Sequence, residues 1–531
     1  MKFIGTLFIM ASAAVTALSQ TNSVEIRKLS LEDCIQIALE HNLDVQIKRF
    51  NPEVGRFTLS ADYGAYDPNF SATGGHDFNQ QPGGIDPQGR PFGGTETDVN
   101  RLNTGIQGLL PWGLNYTLAG GLSDTYGTRP TLAQGTTITG YTTNTVIIAG
   151  VPIAVAQPNY DVVTVRTPFE NVVGTVGFLQ LRQPLLKNFW TDSTRLQIFL
   201  DKKNLKISEL DVRQQVIQTV TDVETAYYNL IFSQKNVKVQ EKALELADRL
   251  VVENKKRVEV GALAPLDEKQ AEAQAAASRA DLLAAQGSED TQERVLKSLL
   301  SDDYSKWKNA ALQPTAALIA LPERFNLQQS WERGLRLRPD LLQAQLNVEK
   351  QGYVVKYRKN QLLPQMDLVG DYGLNASSTT VSDALGQFAG QDNPFWTVGG
   401  QLTIPLGNVS ARNSYRAAKA TKDQVQLQMK QVEQNILILI ENAIANAKTS
   451  FQRVDATREA RIYAEAALDA EQKKLESGKS TSFEVLRLQR DLTTAASTEI
   501  RALADYNIAL AQIALQEGTT LERRHVNLQV K

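Results

Sequence analysis

One cysteine, three histidines and four methionines are all that this 531-residue chain holds of the side chains that bind soft metals or act as strong nucleophiles. His41, His76 and His525 are scattered, with no metal-ligand spacing among them. The lone Cys34 excludes an intramolecular disulfide. It lies in the amphipathic stretch "SLEDCIQIALEHN" and reads as a buried structural thiol. No nucleophile, metal or cofactor constellation stands out, and the many carboxylates are interspersed with Lys and Arg as on solvated helix faces. The chain therefore does not read as an enzyme. Its net charge of −2 supplies no global field for nucleic acid. Beyond the first twenty residues no apolar run approaches the length of a transmembrane helix.

Those first residues differ from the rest. Met1-Lys2, the run "FIGTLFIMASAAV" and the small residues after it have the layout of a secretory signal, expected over 1–19 with cleavage after Ala17 or Ser19.

Glycine and proline are missing where a globular domain would use them. Residues 185–260 and 408–477, 76 and 70 positions, contain neither. Seventy helical residues would reach roughly 105 Å, far beyond an ordinary domain helix. Val216, Val220, Val223, Tyr227 and Leu230 keep a 4-3-4-3 spacing, which favours long helices packed side by side. The returning segments, such as "AEAQAAASRADLLAAQ", are alanine-rich and permit close approach.

Each long segment ends at a glycine. In "KKLESGKSTSFEVLRLQ" the Gly478-Lys479-Ser480-Thr481 core resembles the end of a phosphate loop. Such a loop needs a glycine five positions earlier and a preceding strand, whereas Lys473 and a helical composition stand there. A left-handed helix end followed by a second helix explains the glycine more simply.

The same turn occurs twice, because the chain is a duplication. "LEDCIQIALEHNLDV" from Leu31 matches "LQQSWERGLRLRPDLLQ" from Leu327, 296 positions on, and that offset also pairs Asp44 with Asp340, Pro68 with Pro364 and Gly74 with Gly370. Further along, Glu224 pairs with Glu441 and Gly261 with Gly478, 217 apart. The change of offset locates about 74 extra residues in the first half. This segment, about 76–170, is rich in Gly, Pro, Thr and Asn and reads as a long loop with some β-structure. The expected division is a first repeat over 20–310, an inter-repeat segment over 311–325, a second repeat over 326–517 and a tail over 518–531. Each repeat runs helix, strand, loop, strand, very long helix, turn, helix.

The strands alternate with period two. Met366, Leu368, Gly370, Tyr372 and Leu374 share one face and Gln365, Asp367 and Asp371 the other. Trp396, Val398, Gly400, Leu402 and Ile404 likewise alternate with Thr397, Gln401 and Thr403. About ten such residues with aromatics near the ends is the pattern of a transmembrane β-barrel strand, although a half-buried soluble sheet alternates too. In the first half the alternation is less clean, and Gln180-Leu181-Arg182 is the expected site of a bulge. Two strands per half give four per chain, which cannot close a barrel, and lipid does not tolerate open edges. Three chains would give twelve strands and a lumen.

Together the duplicated helices, the "LLPQMDLVGDYG" and "VGGQLTIPLGN" strands and the paired glycine turns resemble the TolC-like outer-membrane efflux family over essentially the whole mature chain. The resemblance implies a mainly α fold with transmembrane β-structure: a homotrimer whose 12-stranded outer-membrane barrel continues into a long periplasmic α-helical barrel. It implies passive export without catalysis, opened by a periplasmic adaptor and an energised inner-membrane pump of RND or ABC type. Gly261 and Gly478 would mark the periplasmic tips where the adaptor docks. Acidic residues often follow the second turn in this family; here Glu484 takes the first such position and Arg487 the second, a departure from a double acidic ring. Asp267, the first-half equivalent, could pair with Lys479 or Arg487 across the tip. Met366, Leu368, Tyr372, Trp396, Val398 and Leu402 would face lipid. The insertion would lie outside the cell, and composition leaves open whether it plugs the pore, extends the barrel or decorates the surface. Met366 and Met429, the only methionines after the leader, argue against a soft-metal relay. The alternative is a periplasmic coiled-coil scaffold without a pore, which leaves the duplicated strands unexplained.

Overall fold

The structure, a computed structural model, describes residues 25–526 except positions 86 and 88. The expected leader and the last five residues of the tail lie outside the described residues. In chain order the first half runs β1 (Glu25–Leu29), α1 (Leu31–His41), α2 (Leu43–Tyr63), β2 (Asn69–Gln81), the two-residue strands β3 (Gly84–Ile85) and β4 (Pro91–Phe92), β5 (Thr95–Leu109), β6 (Asn115–Ile148), β7 (Val151–Pro184), α3 (Ser193–Glu259) and α4 (Pro265–Leu300). After β8 (Ala310–Pro314) come α5 (Leu327–Leu337), α6 (Pro339–Asn360), β9 (Gln365–Ser378), α7 (Val381–Gly390), β10 (Pro394–Thr403), α8 (Val409–Glu476), α9 (Ser482–Glu517) and α10 (Thr520–Arg523). No helix among the described residues is long and apolar enough to cross a membrane.

The chain divides into two compact units. One comprises, among the described residues, 25–54, 206–346 and 427–526 and is mainly helical. Its core carries the duplication in its burial. The five heptad residues Val216, Val220, Val223, Tyr227 and Leu230 are all buried, against Leu31, Cys34, Ile35 and Ala38 of α1 and Leu296 and Leu300 of α4. The counterparts of Val223, Tyr227 and Leu230, 217 positions on, are Ile440, Ile444 and Ala447, and these are buried in a second cluster with Leu341 and Ile513. Cys34 is fully enclosed, and burial pushes its thiol up to about 12, so it is inert. Ser30 caps α1 reciprocally with Asp33, and Asn326 accepts from the Gln329 backbone N–H at the start of α5. The short strands β1 and β8 pair in parallel, and Tyr227 donates its hydroxyl to the Leu29 carbonyl beside them.

The other unit, residues 55–205 and 347–426, contains a six-stranded sheet in the order β10-β9-β7-β6-β5-β2, in which every pairing is antiparallel. The four expected strands are β2, β7, β9 and β10. The sheet holds two strands more than these four, because β5 and β6 stand between β2 and β7. Much of the segment read as a loop over 76–170 is thus regular strand. Its strands were hidden because they are rich in Thr, Asn and Gly, and alternation in a single barrel strand is a weak signal. Beyond Thr128 of β6 and before Val172 of β7 these two strands pair only with each other, as a ribbon closed at Ala149 and Gly150, both with positive φ. Two residues of that conformation make the turn that suits strand twist. The bulge expected at Gln180-Leu181-Arg182 occurs instead between Val176 and Leu179, where Gly177 takes a φ of 63°. Helix α7 packs over one end of the sheet through Ala384 and Phe388, against Val172, Ala376 and Leu122.

Candidate functional site

Two features stand out as candidate sites: the paired helix turns of the helical unit and the faces of the sheet. At the turns, α3 and α8 end identically. Gly261 has φ 77° and Gly478 φ 73°. The Gly261 N–H donates to the Val258 carbonyl and the Ala262 N–H to that of Arg257; Gly478 and Lys479 repeat this with Leu475 and Lys474. These are two copies of the double hydrogen-bonded left-handed helix stop. Its geometry accounts for the glycines without a phosphate. A methyl added at either glycine would meet no atom within 4 Å, so backbone conformation alone demands them.

Helix α4 restarts with Pro265 at its first turn, and α9 with Thr481, whose hydroxyl accepts from the Glu484 N–H at 3.4 Å. A cluster of Leu250, Leu468, Leu475, Val485 and Leu486 packs the ends together. Polar ties complete the join. The wholly buried Asn254 amide donates to the Asp267 carbonyl at 3.2 Å and its oxygen accepts from Ser482 Oγ at 3.0 Å, so one side chain fastens the starts of α4 and α9 to α3. Arg257 donates to the Leu475 carbonyl at 3.2 Å, satisfying the end of α8. Glu471, the equivalent of Asn254 in the second half, is held below its usual range by hydrogen bonds from Lys474 and Ser480. Asn254, Arg257 and Ser482 were missed by sequence reasoning. The offset of 217 that aligns Asn254 with Glu471 was the signal that could have marked it.

The structure brings together two of the four predicted gate residues. Glu484 and Arg487 pair on α9 at 2.7 Å, and Arg487 also lies 3.7 Å from Asp491. Within the chain Arg487 is thus engaged on its own helix rather than with Asp267, whose N–H closes on the Ala264 carbonyl at the start of α4. No ion pair joins Asp267 to Lys479 among the described residues. Exposed pairs one helical turn apart contribute little to stability, so the arrangement bears on charge at the tip rather than on folding.

On the sheet, Met366 pairs with Leu402, Leu368 with Gly400, Gly370 with Val398 and Tyr372 with Trp396, so the six residues expected to face lipid do share one face of β9 and β10. All six are exposed, Trp396 at 74% and Val398 at 70%. The opposite face is mainly polar. There Arg182 Nε and Nη2 donate to Asp367 Oδ2 at 2.8 and 2.6 Å, with Gln365 donating to the same oxygen at 2.9 Å. Asp367 is only 1% exposed, and this tie between β7 and β9 was another pairing that sequence could not show.

A sheet with one apolar exposed face and one polar face, in a chain with paired very long helices, defines the class of outer-membrane channel proteins. The sequence profile of the outer membrane efflux protein family matches residues 165–301 and 332–519, and the chain belongs to that family. It is 26% identical to the outer membrane efflux protein BepC of Brucella suis over 68% of this chain and 75% of BepC. Against TolC of Escherichia coli the identity is 22%, over 66% and 70%. Among solved structures, the CmeC outer membrane channel of Campylobacter jejuni superposes with a TM-score of 0.62 at 16% identity, covering 92% of this chain and 86% of CmeC. VceC of Vibrio cholerae gives 0.62 at 16%, covering 92% and 96%. The protein is an outer-membrane efflux channel component with a large periplasmic helical part.

Proposed function

We propose that three copies form a passive conduit from periplasm to exterior, opened when a periplasmic adaptor and an inner-membrane pump dock on its helical end. The observation that carries this reading is the open sheet. β2 and β10 have no strand on their outer sides among the described residues, while the face between them is apolar and exposed. Lipid cannot satisfy unpaired backbone groups, so such a sheet is stable in a membrane only when other copies close it. The apolar face carrying Met366, Leu368, Tyr372, Trp396, Val398 and Leu402 then meets lipid and the face carrying Arg182 and Asp367 lines the lumen. The Gly261 and Gly478 turns are the tips offered to the adaptor, and Glu484 with Arg487, near Asp267 and Lys479, sets the charge of the entrance. The type of pump, RND or ABC, selects the cargo.

The test is the mass of the assembly extracted by detergent from a salt-washed outer-membrane fraction. Three copies are expected. A monomer in the soluble periplasmic fraction would favour the coiled-coil scaffold and end the conduit reading.

A further inference from the structure

Resting on the trimeric reading above, we propose that each chain places six strands, not four, in the barrel wall, so that three copies close an 18-stranded barrel in which β2 of one copy pairs with β10 of the next.

Two adjacent rungs of the sheet carry the argument. One crosses Phe70, Ile106, Leu118, Leu179, Tyr372 and Trp396 in unbroken register through β2, β5, β6, β7, β9 and β10. Every residue in it is apolar or aromatic. The next rung crosses Asn69, Gln107, Thr117, Gln180, Asp371 and Thr397, and every residue in it is polar. Successive rungs point to opposite faces, so at this level the apolar face of β9 and β10 continues across β5 and β6. A hairpin folded into the lumen as a plug would need no such face, and one that only decorated the outer surface would not share the register. Phe70, Leu102, Ile106 and Leu118 are also exposed, as a lipid face requires.

The ends of the hairpin agree. The turn between β5 and β6 is tied to the start of α3, where Arg195 Nε donates to the Pro111 carbonyl at 2.9 Å and Nη1 to that of Phe189 at 2.9 Å. β5 and β6 therefore reach the same end of the sheet at which β7 passes into its helix. With an even number of strands, β2 and β10 run in opposite directions, so joining them between copies continues both the antiparallel order and the two faces. Barrel diameter grows roughly linearly with strand number, so eighteen strands give a lumen about one and a half times as wide as twelve.

The test uses the full chain with Cys34 replaced by Ser and single cysteines introduced as Ile106→Cys, Leu118→Cys, Thr117→Cys and, for reference, Trp396→Cys. Each is labelled with a fluorophore and reconstituted as the extracted assembly in vesicles of brominated phosphatidylcholine. Ile106→Cys and Leu118→Cys are expected to be quenched as strongly as Trp396→Cys, with Thr117→Cys unquenched and open to a water-soluble thiol reagent. A trimer in which Trp396→Cys is quenched but Ile106→Cys and Leu118→Cys are not would overturn the six-strand wall and leave the trimeric conduit standing. A different copy number, or an unquenched Trp396→Cys, would instead remove the conduit reading and the count of eighteen with it.

Discussion

Arg524 holds the C-terminal segment of the helical unit through one buried carboxylate. Its Nε donates to Glu224 Oε1 at 2.6 Å, and Glu224 is 4% exposed. Removing one partner of a buried pair leaves the other charged and desolvated, which costs about 3–5 kcal/mol in enclosed sites. Arg524 keeps partial access to water, so Arg524→Ala is expected at the lower end, about 3 kcal/mol. Urea unfolding followed by circular dichroism checks this, and a loss below about 0.5 kcal/mol would be no more than an ordinary surface change. Sequence offered Glu224 only as half of a repeated pair with Glu441. Glu441 is exposed while Glu224 is buried, and nothing in the repeat distinguishes them until Arg524 comes back to meet one of them.

Between elements, α2 and α3 meet in the sheet unit through two carboxyls. Burial works to raise Asp201, but hydrogen bonding with Asp62, then from Asn204 at 2.8 Å and Gln197 at 2.6 Å, outweighs it and, helped by Lys350, holds the carboxyl below its usual range. Asp62 faces it, and hydrogen bonding to Asp201, then burial and mutual repulsion, push Asp62 up to about 6. A carboxyl whose folded value is raised stabilises the fold while protonated. That contribution is complete below the ordinary range near 4 and disappears as pH rises through about 6. Asp62→Asn mimics the protonated form at every pH. It is expected to raise the melting temperature at pH 8 and leave it nearly unchanged at pH 4; an equal effect at both would refute the shared proton. The long helices were legible because absence of Gly and Pro over some seventy residues admits few alternatives. Strands β5 and β6 were not, because Leu102, Thr104 and Ile106 make a face only when Leu118 and Leu122 lie beside them.

In the proposed assembly, the charge at the helix turns is a property of the pore. Three copies would bring three Glu484–Arg487 pairs around one axis, each pair nearly neutral by itself. Glu484→Ala would leave Arg487 with the more distant Asp491 and make the entrance more positive. Planar-bilayer recordings are expected to show weaker block by divalent cations and greater leak, while Arg487→Ala should strengthen the block. Unchanged conductance and block in both variants would remove these residues from the gate. Such effects should fade at high salt, since the groups are exposed.

The sequence by itself determined the duplication, the long helices, the two glycine stops and the apolar face of β9 and β10, because each is written in local periodicity or in a conformation only glycine accepts readily. Tertiary structure alone decided that the inserted residues join the sheet, that Asn254 fastens two helix starts and that Arg487 turns to Glu484 rather than to Asp267. These depend on which distant residues become neighbours. A strand's partner and a buried polar group's satisfaction are properties of register and packing, which no single stretch of chain encodes.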